Sequence, residues 1–543
     1  MKKYRLILLS IIMTGIIAST SCKKELDVKN PNYPTIDQAK TESGIIALAS
    51  GSVYNNSANN GAGGLGDGYF GTVIGYHELL ADNIASTIAN GNLNNVNVPD
   101  YVILDDGTKI SNPSPQKMNL RINNARDRIG TNMFYPEWQS MYALNNACNQ
   151  LLDLVDGISF SGDVDTKKNT IKAWAYWWKG FAYARLGSVY YAGIINNVTS
   201  STNPNYVTSA ALIAESNKNL QTASAILSSI NNTATYMSIM GQLIPSFVQT
   251  GNGAVPTQQM FIRNINTLEA RNLLANIKLT DMTTANWQTL LTLTSAGIGA
   301  NDNVFEAVSS DINDIFNANG GCVSSLTAGI PATTLFTVSE RLIQEFTPGD
   351  LRFSKNFIQN EYLNQVGGFT FSTRWELLNA GDTTVNNNNA IVFCDKTPGN
   401  QVVYIAGSYE ENELMKAEAL INTGKIDLGL ASVDNVRNYQ GAGLAPVSGT
   451  GLSLDAAKEE LRRERRVALV FRGTAYYDAR RWGVIYDISQ GGGRTNAVVL
   501  GTDGVLNTKA IINYNFLDYW DVPADEVVLN PPAPGSVPVK NPN

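Results

Sequence analysis

His77 is the only histidine among the 543 residues, so it limits the acid–base chemistry the chain can run. With Glu78 it begins like the helical zinc-protease pattern, in which a second histidine four residues on completes the metal pair; position 81 is alanine, and that ligand is missing. A serine nucleophile would have to use the same imidazole, and no Gly-x-Ser-x-Gly elbow occurs. His77 is therefore expected to be a hydrogen-bonded packing residue. Asp105 and Asp106 are adjacent acids, whereas glycoside hydrolysis needs two carboxyls about 5 to 10 Å apart across a sugar. The expectation for this pair is a loop acid or, less often, a calcium ligand. Gly61 to Gly66 fits a dinucleotide-loop spacing but follows an asparagine-rich stretch where that motif needs a strand, so it reads as flexible loop.

No catalytic residue and no cofactor is predicted, with a structural calcium left open. A binder without a catalytic set must draw affinity from shape, apolar contact and hydrogen bonds. For glycans the physical solution is an aromatic ring under the apolar face of a sugar, with amides and charged groups reaching the hydroxyls. The candidates in polar, loop-like sequence are Tyr69, Phe70, Tyr101 and Trp375, with Asn112 and Arg121 as polar partners.

The elements that must position these residues are helical. Met141, Leu144, Cys148, Leu151, Leu152 and Val155 recur at helical spacing after Pro136, which suits a first turn. Trp174, Trp177, Trp178 and Phe181 sit at i, i+3, i+4 and i+7 of a second helix over about 170–190, a core stripe more readily than a ligand platform. Further helices are expected near 209–230, near 267–280 and around Trp287. Ser408 with Glu411 forms a capping-box pattern before a helix that Gly424 closes, and a second helix runs through Leu428 to Arg437. Such pairs are the unit of tetratricopeptide-like solenoids. A third helix begins near Ser453 and carries Glu459, Glu460, Arg462, Arg463, Glu464, Arg465 and Arg466. Two readings stay open for this run: a solvated face with pairs such as Glu459 to Arg463, or arginines that tie loops to the scaffold. Stretches rich in Gly, Asn, Ser and Thr at 51–72, 89–132, 231–260 and 296–335 read as long functional loops.

The N-terminus has the form of an export signal. Lys2, Lys3 and Arg5 precede an apolar run from Leu6 to Ala18, too short to span a bilayer, and Ser19-Thr20-Ser21-Cys22 resembles a bacterial lipobox. Cys22 is the predicted lipidation site, at the head of a tether over 22–40. Cys148, Cys322 and Cys394 have no metal-type spacing and suggest no disulfide framework. Charged residues make up 16%, against about 25% in typical soluble domains, and amides and hydroxyls supply the surface polarity. The formal charge is −7, and losing the signal removes three basic residues and no acid, so a phosphate backbone would be repelled and nucleic acid is excluded as a partner.

Several C-terminal segments, taken in order, resemble the SusD/RagB family of nutrient-binding outer-membrane lipoproteins. They are Tyr409 to Gly424, Asp434 to Arg437, Glu464 to Gly473, Tyr477 to Gly483, Gly349 to Arg352, Asp521 to Val527 and the closing Asn541-Pro542-Asn543. Upstream, Glu78 to Asp82 and Trp138 to Asn146 sit in the matching order. The resemblance implies a mainly α, SusD-like fold: a right-handed scaffold of tetratricopeptide-like helix pairs with a loop-rich lobe carrying small hairpins. It implies a signal peptide at 1–21, then one domain at 41–543 with helix pairs at about 136–295 and 400–483. The ligand-binding lobe would occupy about 51–132 and 296–400, and 484–543 would be an extended closing segment. The function implied is surface capture of an oligosaccharide or polysaccharide and delivery to a SusC-like TonB-dependent outer-membrane barrel, without catalysis. Oligopeptides are the alternative cargo, and a secreted glycoside hydrolase is the reading from another class. The location implied is the outer membrane, lipid-anchored and surface-exposed.

Overall fold

A computed structural model describes residues 39–54, 74–86, 96–199, 201–308, 336–363, 371–377, 402–501 and 503–543. Tyr69, Phe70, Cys22, Cys322, Cys394 and the glycine run at 61–66 lie outside the described residues. The architecture is mainly α, with small antiparallel sheets.

Pro136 does start a helix, α1 (Tyr135–Val155), where its missing N–H costs nothing. Asp163 caps α2 (Val164–Val189) by accepting from the backbone N–H of Thr166, and Thr208 caps α3 (Ser209–Ser229) in the same way. The chain continues through α4 (Thr233–Leu243), α5 (Gln258–Ala275) and α6 (Thr284–Ser295). In the C-terminal half come α7 (Tyr409–Asn422), α8 (Ile426–Tyr439), α9 (Leu454–Ala468) and the short α10 (Ala475–Arg481). Each helix of the series α1, α2, α3, α5, α6, α7, α8 packs on the next, and α9 closes the end against α7 and α8. That serial packing is the solenoid principle.

Two close approaches set the spacing of neighbours. A Cβ on Gly180 would lie 2.7 Å from the Leu220 side chain, so only glycine lets α2 and α3 come together there. The Gly180 carbonyl accepts from Ser216 Oγ at 2.6 Å across the same contact. Trp174, Trp177 and Trp178 are fully buried, packed edge-to-face or tilted against one another, Phe305 and, for Trp177, Phe261. The tryptophan stripe is core. Cys148 is likewise fully buried on α1, and burial pushes its thiol up to about 12, the state of an inert structural cysteine.

Three readings of the sequence need correction. The helix expected over about 267–280 begins nine residues earlier, capped by Thr257, and ends at Ala275. The stretch 231–260 is not one loop, because Asn232 caps α4 inside it. The closing segment is extended only in part, since Ala524–Leu529 is a short helix; its strands Arg494–Leu500 and Leu506–Asn513 form a hairpin that joins Tyr101–Ile103 and Lys109–Ser111 in a four-stranded sheet. No helix among the described residues is long and apolar enough to cross a membrane.

Candidate functional site

Trp375 sits on the strand Thr373–Leu377, opposite Gln359 of the strand Phe357–Leu363. The strand is fastened at its root. Thr373 Oγ1 donates to the carbonyl of Val338 at 2.7 Å, and Glu340 accepts from the Arg374 backbone N–H at 2.9 Å and from its guanidinium at 3.1 and 2.9 Å. This clamp fixes the residue next to Trp375. The indole is half-buried, its ring centroid 5.0 Å from that of Phe353 in an edge-on contact, and Phe353 in turn packs with Phe346 and Phe357. Its Nε1 is buried without a hydrogen-bond partner among the described residues. What such a ring offers a ligand is its exposed part as a stacking surface, since the indole N–H is withdrawn from the surface.

The other described candidates are more fully engaged. Tyr101 is half-buried and the Lys109 ammonium lies 3.7 Å from its ring centroid, so one face of the ring is taken by a cation. Asn112 closes a turn, accepting from the Ser114 N–H at 3.0 Å and donating to the Pro99 carbonyl at 3.3 Å. Arg121 donates to Asp521 at 3.2 Å and to the Asn541 carbonyl at 2.6 Å, which pins the closing segment to the helix Gln116–Asn123.

The sheet register keeps Trp375 and Tyr101 apart. Ser372 bridges to Leu500 at one end of the closing hairpin, whereas Tyr101 pairs with Asn513 at the other. Leu500 pairs with Leu506, and seven residues at about 3.3 Å each separate Leu506 from Asn513, on the order of 20 Å. The two aromatics therefore cannot grip the same sugar ring. Asp105 is a hairpin clasp, its carboxylate accepting from the N–H groups of Thr508 and Lys509 at 2.8 Å each, and Asp106 accepts from the Thr108 N–H at 2.8 Å.

Beneath these strands lies a set of ion pairs that sequence reading located only in part. Arg341 grips Asp82 with Nε and Nη2 at 2.8 and 2.7 Å, and both side chains are buried. Burial alone would raise the Asp82 carboxyl, but Arg341, Arg494 and Arg466 outweigh it and hold it down at about 2. Glu345 is held at about 2 in the same way, burial being overcome by Arg466, Arg462 and Arg494. Arg466 also donates to the Asn83 side chain at 2.8 Å and the Asp82 carbonyl at 2.7 Å. Of the two readings of the charge run on α9, the tying arginines prevail. The Arg463 to Glu459 pair spans 4.0 Å, while Arg462, Glu464, Arg465 and Arg466 reach residues on other elements. In place of a full capping box, Ser408 caps α7 while the Glu411 carboxylate turns to the buried Arg271, 2.6 Å away.

His77 is fully buried, with Nε2 3.1 Å from Glu137 and 3.0 Å from Arg185. Burial, assisted by Arg185, lowers it to about 4 and keeps the imidazole neutral at physiological pH. It is a packing and hydrogen-bonding residue in an ion-pair cluster. What the whole arrangement provides is a stiff, charge-braced base from which strands such as that of Trp375 project.

Residues 332–533 match the SusD family, and no curated protein sequence matches the chain. Among solved structures, a SusD superfamily protein from Parabacteroides distasonis ATCC 8503 superposes with a TM-score of 0.57 at 13% identity, covering 93% of this chain and 100% of its own. A SusD homolog from Bacteroides thetaiotaomicron VPI-5482 gives 0.56 at 15% identity, with 90% and 97% covered. A SusD-like carbohydrate binding protein from Bacteroides fragilis NCTC 9343 gives 0.52 at 14% identity, with 84% and 97% covered. These likenesses establish a SusD-like fold, and residues 332–533 carry the sequence pattern of the SusD family.

Proposed function

We propose that this protein captures a saccharide at the outer face of the outer membrane, held there by lipid on Cys22, and passes it to a SusC-like TonB-dependent barrel without making or breaking a bond. The observation that carries the reading is Trp375: a half-buried indole on a strand clamped by Arg374 and Glu340. A flat, partly exposed apolar ring is what the apolar face of a sugar ring fits. The Bacteroides fragilis carbohydrate binding protein shares the fold, which supports saccharide over peptide as cargo. Rigidity of the base supports capture as well, since a platform fixed before binding loses little entropy when the ligand arrives.

Calorimetric titration of the wild type and Trp375→Ala against neutral oligosaccharides tests the assignment. The expected result is a loss of about tenfold or more in affinity, in line with an aromatic contact of about 1.5 kcal/mol or more. Saccharide binding that is unaltered in Trp375→Ala would overturn it.

A further inference from the structure

A cleft of about 610 Å³ opens on the scaffold, built by five segments separate in sequence, the last of them Asn543. Lys117 comes from the first turn of the helix Gln116–Asn123, and Lys278 from the turn between α5 and α6. Trp482 and Tyr486 come from the turn after α10, and Asp518 from the segment after the closing hairpin. None of these residues belongs to the strands around Trp375. The volume lies within the range of about 300 to 1,000 Å³ usual for small-ligand pockets.

Two half-buried aromatics line the cleft, each with a cation over one face and leaving the other face or edge for a ligand; the Arg481 guanidinium lies 4.4 Å from the Trp482 ring centroid. The Lys278 ammonium rests 4.3 Å from the Tyr486 ring centroid and is exposed, with no carboxylate paired to it among the described residues. Lys117 spends one of its three N–H donors on Asn515 Oδ1 at 2.9 Å. The acceptor side is closed. Asp518 accepts from the Asn541 amide at 2.8 Å, the Tyr519 N–H at 2.9 Å, and the Asn543 amide and Tyr486 hydroxyl at 3.3 Å. Asp487 nearby is occupied by Ser489 and Asn513. A ligand entering therefore meets the Lys278 and Lys117 ammonium groups beside aromatic rings, while the side-chain carboxylates of Asp518 and Asp487 are already engaged.

We propose that this cleft is a second binding site, for a saccharide unit bearing an anionic group, with the ring against Trp482 and Tyr486 and the anion at Lys278 and Lys117. The anion is a carboxylate, as in a uronate, or a sulfate ester; both accept charge-assisted hydrogen bonds from ammonium groups. The site goes beyond the capture reading and does not depend on it.

Titrating the whole mature chain with trigalacturonate, a sulfated galactan trimer and neutral galactotriose tests the proposal, with Lys278→Gln, Trp482→Ala and Trp375→Ala in parallel and thermal melts as the check on folding. At least one anionic trimer is expected to bind at least tenfold more tightly than galactotriose. That preference should fall about tenfold or more in Lys278→Gln, an exposed position whose change leaves the fold intact, and persist in Trp375→Ala. Equal binding of neutral and anionic trimers, no binding of either anion, an unchanged preference in Lys278→Gln, or its loss in Trp375→Ala would each overturn the second site. Failure of the lobe reading is separately visible as neutral-glycan binding that Trp375→Ala leaves untouched.

Discussion

Arg352 and Glu464, 112 residues apart in the chain, meet at 2.5 Å between Nη1 and Oε1, and Asp350 holds the other side of the same guanidinium at 2.7 Å. All three side chains are almost wholly withdrawn from solvent. Arg437 adds a second cation to Glu464 at 2.9 Å, so one buried carboxylate joins the short helix Leu351–Asn356, α8 and α9.

Breaking this cluster on one side leaves a buried charge unpaired. Arg352→Met is expected to lower unfolding free energy by about 3 to 5 kcal/mol. Urea unfolding followed by circular dichroism measures it; a change under 1 kcal/mol would mean that the carboxylates find other partners.

Acid should attack the fold through the same kind of group. Asp82 and Glu345 have folded values near 2, below their ordinary values of 3.8 and 4.5. A carboxylate with a depressed folded value contributes stability that is present above its unfolded pKa and lost as pH falls through the folded one. Stability is thus expected to decline between about pH 4.5 and pH 2, with a shallower slope in Asp82→Asn. Denaturant midpoints across that window check it.

Glu306 carries the opposite sign. Burial, strengthened by Glu410 and opposed by Arg472, raises it to about 8. Its contribution is full below about 4.5 and is lost as pH rises through 8, because charging it in place is costly. Glu306→Gln should therefore gain stability relative to wild type on going from pH 5 to pH 9, read as a growing difference in melting temperature.

Trp177→Ala removes a ring that contacts Trp178, Phe181, Phe261 and Phe305. A loss of about 3 to 5 kcal/mol is expected, measured by chemical denaturation.

The anchor is testable apart from the fold. On the proposed lipidation, Cys22→Ala should move the protein from the membrane to the soluble fraction, since acyl chains there would contribute about 0.8 kcal/mol per buried methylene. Unchanged fractionation would refute lipidation at Cys22.

Elements with strong apolar periodicity were readable from sequence, and those whose stability comes from distant partners were not. The spacing of Trp174, Trp177, Trp178 and Phe181 announced both a helix and its burial. Helix α4 was hidden because its local sequence, Thr-Ala-Thr-Tyr-Met-Ser, is mixed in propensity, and it is Asn232 capping and the burial of Tyr236, Met240 and Leu243 that hold it. For the charge run on α9 the sequence left a solvated face and tying arginines both open, because the partners lie far away in the chain: Arg466 finds Asn83 across 383 residues. At the candidate site, composition identified exposed-type aromatics without locating them. Strand register shows that Trp375 and Tyr101 flank opposite ends of one hairpin, and side-chain hydrogen bonds show that Arg121 is committed to Asp521 and Asn541.

The central claim is capture without chemistry by a rigid, loop-bearing scaffold. Incubating the purified mature protein with a panel of neutral and acidic oligosaccharides and a panel of peptides, while recording binding isotherms and analysing products chromatographically, tests it most directly. Saturable saccharide binding with every oligosaccharide recovered intact is the predicted result. Shortened products, or binding confined to peptides, would contradict it.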